Sequence, residues 1–206
     1  EYHALLNNCR DSIPESLAFS LRSAVATRFR LFTDHISRFV VLSEFSKQWI
    51  VQKAGVEPER VATIPLAIPA PDTGIDDPTE GAYIGYAGRF VPEKGVELLI
   101  EACRRAKLPL RLAGDSLEHP AIRPGDDVEC VPTPTPESLV EFYRGARVLV
   151  VASLWEETFA TVLSEAKSHG VPVIAPRIGA MPDLVKDEIT GLLFETGNVE
   201  ELTDKI

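Results

Sequence analysis

The residues Arg147-Val-Leu-Val-Val-Ala152 are an almost unbroken apolar run, and Ser153-Leu-Trp-Glu-Glu157-Thr158 then leads into Phe159-Ala-Thr-Val-Leu-Ser-Glu165-Ala-Lys-Ser-His169. A short, Val-rich run bounded by polar residues reads as a strand buried on both faces, as in a parallel sheet covered by helices. The residues after it carry apolar side chains at helical spacing, which predicts a helix over 159–169 with Thr158 as its N-cap. Strand, loop and helix in this order form the repeating unit of a doubly wound α/β fold, whose ligands lie beyond the carboxyl ends of the strands.

The same alternation extends in both directions. Upstream, Ala82–Ala87 reads as a strand, Gly95–Lys107 as a helix, and Pro109–Ala113 as a strand stopped by Gly114-Asp115. Val128–Val131 is a short strand, and Thr135-Pro136 caps and starts a helix through Arg144. Downstream follow a strand at Val171–Ala175, a short helix at Pro182–Val185, a strand at Gly191–Phe194 and a helix from Val199. Residues 82–206 therefore predict a Rossmann-like, doubly wound parallel sheet. Before residue 65 the pattern is thinner. It has a helical stretch from Leu17 to Phe32, a strand at Arg38–Leu42, a Ser43-capped helix Glu44–Lys53 ended by Gly55, and a strand at Val61–Ile64. Two strands are too few for a covered parallel sheet, so residues 1–64 are expected to be a partial second α/β domain whose other strands precede Glu1. Pro65, Pro69, Pro71, Gly74 and Pro78 make residues 65–81 an expected interdomain linker. A chain that opens on Glu1 is expected to be a fragment of a longer protein.

With 45% apolar residues among 206, the chain can bury a core in each of two modest domains. A net charge of −10, from 21 basic and 31 acidic residues, argues against a nucleic-acid partner. Residues 16–53 invert that balance with six cations against two carboxylates, which suits an ordinary solvated helix face first and a weak surface for anionic acceptors or lipid head groups second. Cys9, Cys103 and Cys130 stand at unrelated spacings, and His3, His35, His119 and His169 share no ligand pattern, so no metal and a reducing compartment are expected. No apolar run reaches the roughly 18 residues that span a bilayer, and no signal peptide opens the chain. The expected location is the cytoplasm, with a peripheral place at the inner membrane surface as the variant. Trp49 and Trp155 are expected to serve packing.

Three loops at strand ends carry the chemistry. Gly85-Tyr-Ala-Gly88-Arg89-Phe-Val-Pro-Glu-Lys94-Gly95 pairs glycines, which let backbone approach a ligand, with two cations suited to a diphosphate. A surface ion-pair role for Arg89 is the plain alternative. The spacing is not the GxGxxG dinucleotide fingerprint. In the second loop, a helix capped by Thr158 would offer the amides of Phe159, Ala160 and Thr161 to phosphate. Glu165, seven residues past Thr158 and roughly 10 Å along the axis, would then accept hydrogen bonds from a vicinal diol such as a ribose. Glu157 would meet hydroxyls at the reacting end. The third loop, Arg177-Ile-Gly179-Ala180-Met-Pro182, again offers close backbone approach or a simple turn.

These motifs, together with Ala113-Gly114-Asp115, Glu157-x7-Glu165-Ala166, Gly170-Val-Pro-Val-Ile-Ala175 and Thr190-Gly-Leu-Leu-Phe194, resemble the donor-binding domain of group 1 (family 4) retaining glycosyltransferases of the GT-B fold. The likeness is strong over residues 82–206 and extends weakly back to about Phe39, where Val41-Leu-Ser-Glu-Phe45 resembles the end of that family's acceptor domain. The resemblance implies transfer of a sugar from a nucleotide sugar to a carbohydrate, lipid or small-molecule acceptor with retention of configuration. It implies that Arg89 and Lys94 neutralise the diphosphate, Glu165 holds the ribose, Glu157 contacts the sugar, Val131, Pro132 and Leu139 border the base, and Gly88 is among the donor-binding residues. No cofactor is implied, the cations standing in for a metal. The family commonly has Gly or Ser where Ala160 stands and Asn-Gly near Ala67, and its catalytic histidine and glycine-rich phosphate loop belong to the acceptor half upstream of Glu1. The fragment alone is expected to bind donor and transfer nothing. A sugar-nucleotide epimerase on the same fold, or a nucleotide-binding relative without turnover, are the rival expectations.

Overall fold

The computed structural model describes residues 12–31, 33–68, 81–114, 119–123, 126–131 and 135–206. The expected linker falls mostly outside them. The chain forms two compact units, one of Glu1–Val41 with Ser46–Ile64, the other of Leu42–Phe45 with Pro65–Ile206. Among the described residues no helix is long and apolar enough to cross a membrane.

Helix α1 (Ile13–Arg28), strand β1 (Phe39–Val41), helix α2 (Glu44–Ala54) and strand β2 (Val61–Thr63) precede residue 65. Strands β1 and β2 pair in parallel, with Phe39 opposite Val61, over a small core of Val41, Val56 and Val61 packed by Ile50 and Val51. Helix α1 begins four residues before the expected Leu17, because Pro14 is tolerated in an opening turn whose amides lack helical partners. Its apolar row Leu17, Leu21, Val25 and Phe29 lies exposed, while Ser16 and Ala26 are buried.

The second unit holds β3 (Tyr83–Ala87), α3 (Val96–Ala106), β4 (Leu110–Ala113), β5 (Val128–Val131), α4 (Pro136–Gly145), β6 (Ala146–Val150), α5 (Thr161–Ser168), β7 (Val173–Pro176), α6 (Met181–Leu184), β8 (Leu192–Phe194) and α7 (Val199–Lys205). Its six strands are all parallel in the order β5-β4-β3-β6-β7-β8. The run at 147–152 is unbroken because its alternate residues serve two cores: Leu149 and Val151 pack with Phe142, Tyr143 and Leu163, while Val148 and Val150 pack with Leu99, Ile100 and Phe194. Each such side chain, fully buried, contributes roughly 1.5 to 3 kcal/mol. Strand order reverses between β3 and β6, so the loops leaving their carboxyl ends diverge and open a crevice there.

Two helix starts show what local signals can and cannot fix. Thr135 caps α4 as expected, its hydroxyl accepting the Ser138 amide at 3.3 Å behind Pro136. Thr158 does not cap α5. That helix begins at Thr161 behind Ala160, which is extended and makes no side-chain cap bond. The Thr158 carbonyl instead accepts the Ser43 hydroxyl at 2.8 Å, and the Glu157 carbonyl accepts the Ala180 amide at 2.9 Å. These tertiary bonds hold residues 157–160 out of the helix.

Cys103 is buried among Leu99, Ile100 and Ala102, and burial pushes its thiol up to about 12. At pH 8.5 it therefore carries almost no thiolate. Iodoacetamide is expected to label half-buried Cys130 in the native protein and to reach Cys103 only after denaturation, read by peptide mass spectrometry.

Candidate functional site

All three loops singled out in the sequence meet at Glu157. From β3 the chain passes Gly88 and Arg89 into a 3₁₀ turn, Pro92–Lys94, ended by Gly95 in the left-handed region at φ 65°. A Cβ on Gly95 would stand 2.0 Å from the Ala152 carbonyl oxygen, so this turn lies directly against the segment that leaves β6. The Leu154 amide donates to the Glu93 carbonyl at 2.8 Å and fastens the second loop to the first. Lys94 Nζ then reaches a Glu157 carboxylate oxygen at 2.9 Å, and the buried Ser153 hydroxyl donates to the other. From behind, Gly179 comes so close that a Cβ there would stand 2.7 Å from the Glu157 amide nitrogen and carbonyl oxygen.

The Lys94–Glu157 pair is neither exposed nor sealed, with 25% and 16% of the two side chains accessible. Such a pair holds geometry more than it adds stability, and a stronger anion can displace the carboxylate. Arg89 is the contrasting cation. Among the described residues it forms no ion pair, and its main chain is held by the Tyr86 hydroxyl donating to the Arg89 carbonyl at 2.8 Å.

Two cavities share this centre. One, of about 300 Å³, is lined by Gly88, Arg89, Lys94, Glu157, Phe159, Ala160 and Thr161 together with Tyr86 and Ser153. It brings seven of the expected site residues together at the opening of α5, where the first-turn amides have no carbonyl partner within the helix. Because α5 starts at Thr161, Thr161 keeps its expected first-turn place and Val162 joins it, while Phe159 and Ala160 precede the helix. The other cavity, of about 390 Å³, is lined by Arg89, Glu93, Lys94, Trp155 and Glu157. Among the described residues no three His, Cys, Asp or Glu side chains are grouped to hold a metal.

Glu165, Val131 and Leu139 line neither cavity. Glu165 follows Thr161 by one helical turn, roughly 6 Å along the axis, rather than the two turns expected from a Thr158 cap. One of its oxygens accepts the Tyr143 hydroxyl at 2.5 Å. Burial, reinforced by Glu165, raises the Tyr143 phenol well above its ordinary value, so it stays a donor. Val131 ends β5 opposite Ala113, and Leu139 packs against the core that holds Phe142 and Tyr143. Pro132 and Asp115 lie outside the described residues. Gly85 sits inside β3 rather than in the loop, and its open side faces Ala146, Leu149 and Phe142, not a ligand.

Sequence reasoning missed Ser153 and Tyr143 as partners of the two glutamates, because contacts between separate elements leave no local pattern. Trp155, expected to pack, is 68% exposed instead. Its place on a strand-end loop beside Glu156 and Glu157 was the available signal.

A six-stranded parallel sheet with cation-bearing loops at its switch point defines a Rossmann-like α/β domain. Residues 74–206 match the family described as glycosyl transferases group 1, and the chain belongs to that family. It is 30% identical over 200 residues to the D-inositol 3-phosphate glycosyltransferase of Saccharomonospora viridis, covering 82% of this chain and 46% of that one. Among solved structures it is similar to sucrose-phosphate synthase from Thermosynechococcus elongatus, with TM-score 0.67, 25% identity, and coverage of 81% of this chain and 47% of that one. The Anabaena protein HepE in complex with UDP shares the fold with TM-score 0.69 and 22% identity, over 85% of this chain and 54% of that one. The chain spans less than half the length of the curated relatives it matches.

Proposed function

We propose that this chain is the donor-binding part of a glycosyltransferase that moves a sugar from a nucleotide sugar to an acceptor with retention of anomeric configuration, and that by itself it binds donor without transfer. The observation that carries this reading is the shared cavity in which Arg89, Lys94 and the opening of α5 surround one carboxylate, Glu157. Arg89 and Lys94 neutralise the diphosphate as it leaves, assisted by the first-turn amides, and no metal is needed. Glu157 accepts hydrogen bonds from sugar hydroxyls. Glu165, steadied by Tyr143, takes the ribose one turn along α5. Val131, Pro132 and Leu139 border the base, residues 65–81 link the two domains, and residues 1–64 belong to the acceptor domain. The named relative uses inositol 3-phosphate, which makes a phosphorylated cyclitol the first acceptor to try. A cytoplasmic site of action, with a peripheral membrane contact for a lipid acceptor, fits the cations of residues 16–53.

A thermal-shift panel of UDP, GDP, ADP and their sugars tests the donor reading. A ligand at a hundred times its Kd adds about 2.7 kcal/mol to stability, which the midpoint reports. No shift with any diphosphate overturns it. Arg89→Ala is expected to cost diphosphate binding roughly 1.5 to 3 kcal/mol while sparing nucleoside binding, measured by calorimetry. Equal losses move Arg89 away from phosphate. For Glu165, removing the ligand's 2′-hydroxyl should weaken binding to the unaltered chain and change little for Glu165→Gln; equal loss in both removes Glu165 from the ribose. With the complete enzyme, an epimerase would yield no glycoside product.

A further inference from the structure

The segment Leu42–Phe45 follows β1 in sequence but belongs to the second compact unit. Two hydrogen bonds hold it there. The hydroxyl of Ser43, only 3% exposed, donates to the Thr158 carbonyl at 2.8 Å. The Phe45 amide, an orphan donor in the first turn of α2, donates to the Asp183 carboxylate at 2.7 Å. Asp183 lies in α6, whose N-cap Ala180 donates its amide to the Glu157 carbonyl at 2.9 Å. These three bonds join residues 43–45, 180–183 and 157–158 into a closed circuit, in which neither Ser43 nor Asp183 lines a cavity at Glu157.

The circuit opposes a structure that the local sequence favours. Thr158 is a good N-cap for Phe159-Ala-Thr-Val-Leu-Ser-Glu165, and a helix started there would aim the Thr158 carbonyl at the Val162 amide. In the fold that carbonyl takes the Ser43 hydroxyl, and Ala160 is extended at φ −109° and ψ 94°. Coiling residues 159 and 160 would shorten the chain by roughly 2 Å for each, the difference between extended and helical rise. Glu157 would then be drawn away from Lys94 Nζ, which stands 2.9 Å from its carboxylate. We propose that Ser43 and Asp183 are positioning residues for Glu157. By holding the Thr158 carbonyl they stop α5 from growing back to Phe159, and so keep the Glu157 carboxylate at Lys94 and the Val162 amide open to an anion. What Glu157 and that amide do for a ligand rests on the nucleotide-sugar reading, whereas the start of α5 is tested without one.

The test is NMR on the full 206-residue chain, comparing Ser43→Ala and Asp183→Ala with the unaltered protein. Asp183 is exposed, so its variant keeps the test open should Ser43→Ala fail to fold. In each variant the Cα and carbonyl shifts of Phe159 and Ala160 are expected to move toward helical values. The Val162 amide should exchange about ten-fold more slowly as it gains a hydrogen bond, whereas a merely structural contact, once lost, would speed exchange. The side-chain carboxyl resonance of Glu157 should move as it does in Lys94→Gln. Asp183→Asn, which keeps an acceptor for the Phe45 amide, should leave all three signals as in the unaltered chain. Folded variants in which α5 still starts at Thr161, or in which the Glu157 resonance stays in place, overturn the proposal. Calorimetry with UDP, GDP and ADP then separates the positioning from the function. Any diphosphate that binds the unaltered chain should bind Ser43→Ala about five-fold more weakly, since Val162 no longer offers its amide. Unchanged affinity beside a lengthened helix also overturns the proposal. Binding of none of the three to the unaltered chain removes the nucleotide reading, while the ligand-free signals still decide what Ser43 and Asp183 hold.

Discussion

Gly95→Ala is expected to destabilise the second unit by about 3 kcal/mol, seen as a lower midpoint in urea unfolding at unchanged slope. Two costs combine. The residue sits at φ 65°, where a Cβ costs roughly 1 to 2 kcal/mol. That Cβ would also stand 2.0 Å from the Ala152 carbonyl oxygen and 2.9 Å from its carbon, both main-chain atoms of the segment that leaves β6. Nothing flexible can yield, so the Pro92–Lys94 turn must lift off β6, at the 1 to 3 kcal/mol typical of overpacking. Gly197→Ala is the control, since Gly197 has φ 79° in the same unit but meets only Leu154 Cδ2 at 4.0 Å. It should show the conformational cost alone, about 1 kcal/mol. Equal losses at the two glycines would mean that the turn does not press on β6 and that the strand end does not position Lys94.

How far the sequence reveals this fold depends on whether a feature is written locally. The strands of residues 82–206 are legible because burial on both sheet faces demands consecutive apolar residues, and Val148 to Val151 satisfy it by sending alternate side chains to two cores. The start of α4 is legible too, since Thr135 and Pro136 act on their own turn. The start of α5 is not. Thr158 has the right side chain for a cap, but its carbonyl is taken by Ser43, 115 residues away, and that of its neighbour Glu157 by Ala180. At the site, residue types revealed which loops would converge, while partnerships stayed hidden. Two cations read alike in sequence, yet Lys94 is held by Glu157 and Arg89 by no carboxylate among the described residues. Glu157 and Glu165 read as a matched pair, and in the fold one is gripped by a lysine and a serine and the other by a buried tyrosine.

That difference in partners bears on what each glutamate does, and Glu157→Gln is expected to show it. In the complete enzyme the change should lower turnover by about two orders of magnitude, roughly 2.7 kcal/mol of transition-state stabilisation. Its effect on nucleoside diphosphate binding should run the other way. Lys94 Nζ is 2.9 Å from the Glu157 carboxylate, so on the proposed reading a diphosphate would have to take the ammonium from that partner. Glutamine keeps the shape and can still accept the Ser153 hydroxyl, but it holds Lys94 without charge assistance. The lysine is then freer for phosphate. Calorimetry on the chain should find diphosphate affinity unchanged or a few-fold tighter in Glu157→Gln and clearly weaker in Lys94→Gln. On the proposed reading, a diphosphate that took Lys94 in the unaltered enzyme would leave Glu157 without its ammonium partner and make it a stronger hydrogen-bond acceptor for sugar hydroxyls as positive charge grows on the ring. A variant that loses diphosphate affinity ten-fold while keeping its turnover would place Glu157 on the ground-state ligand alone and remove this exchange from the mechanism.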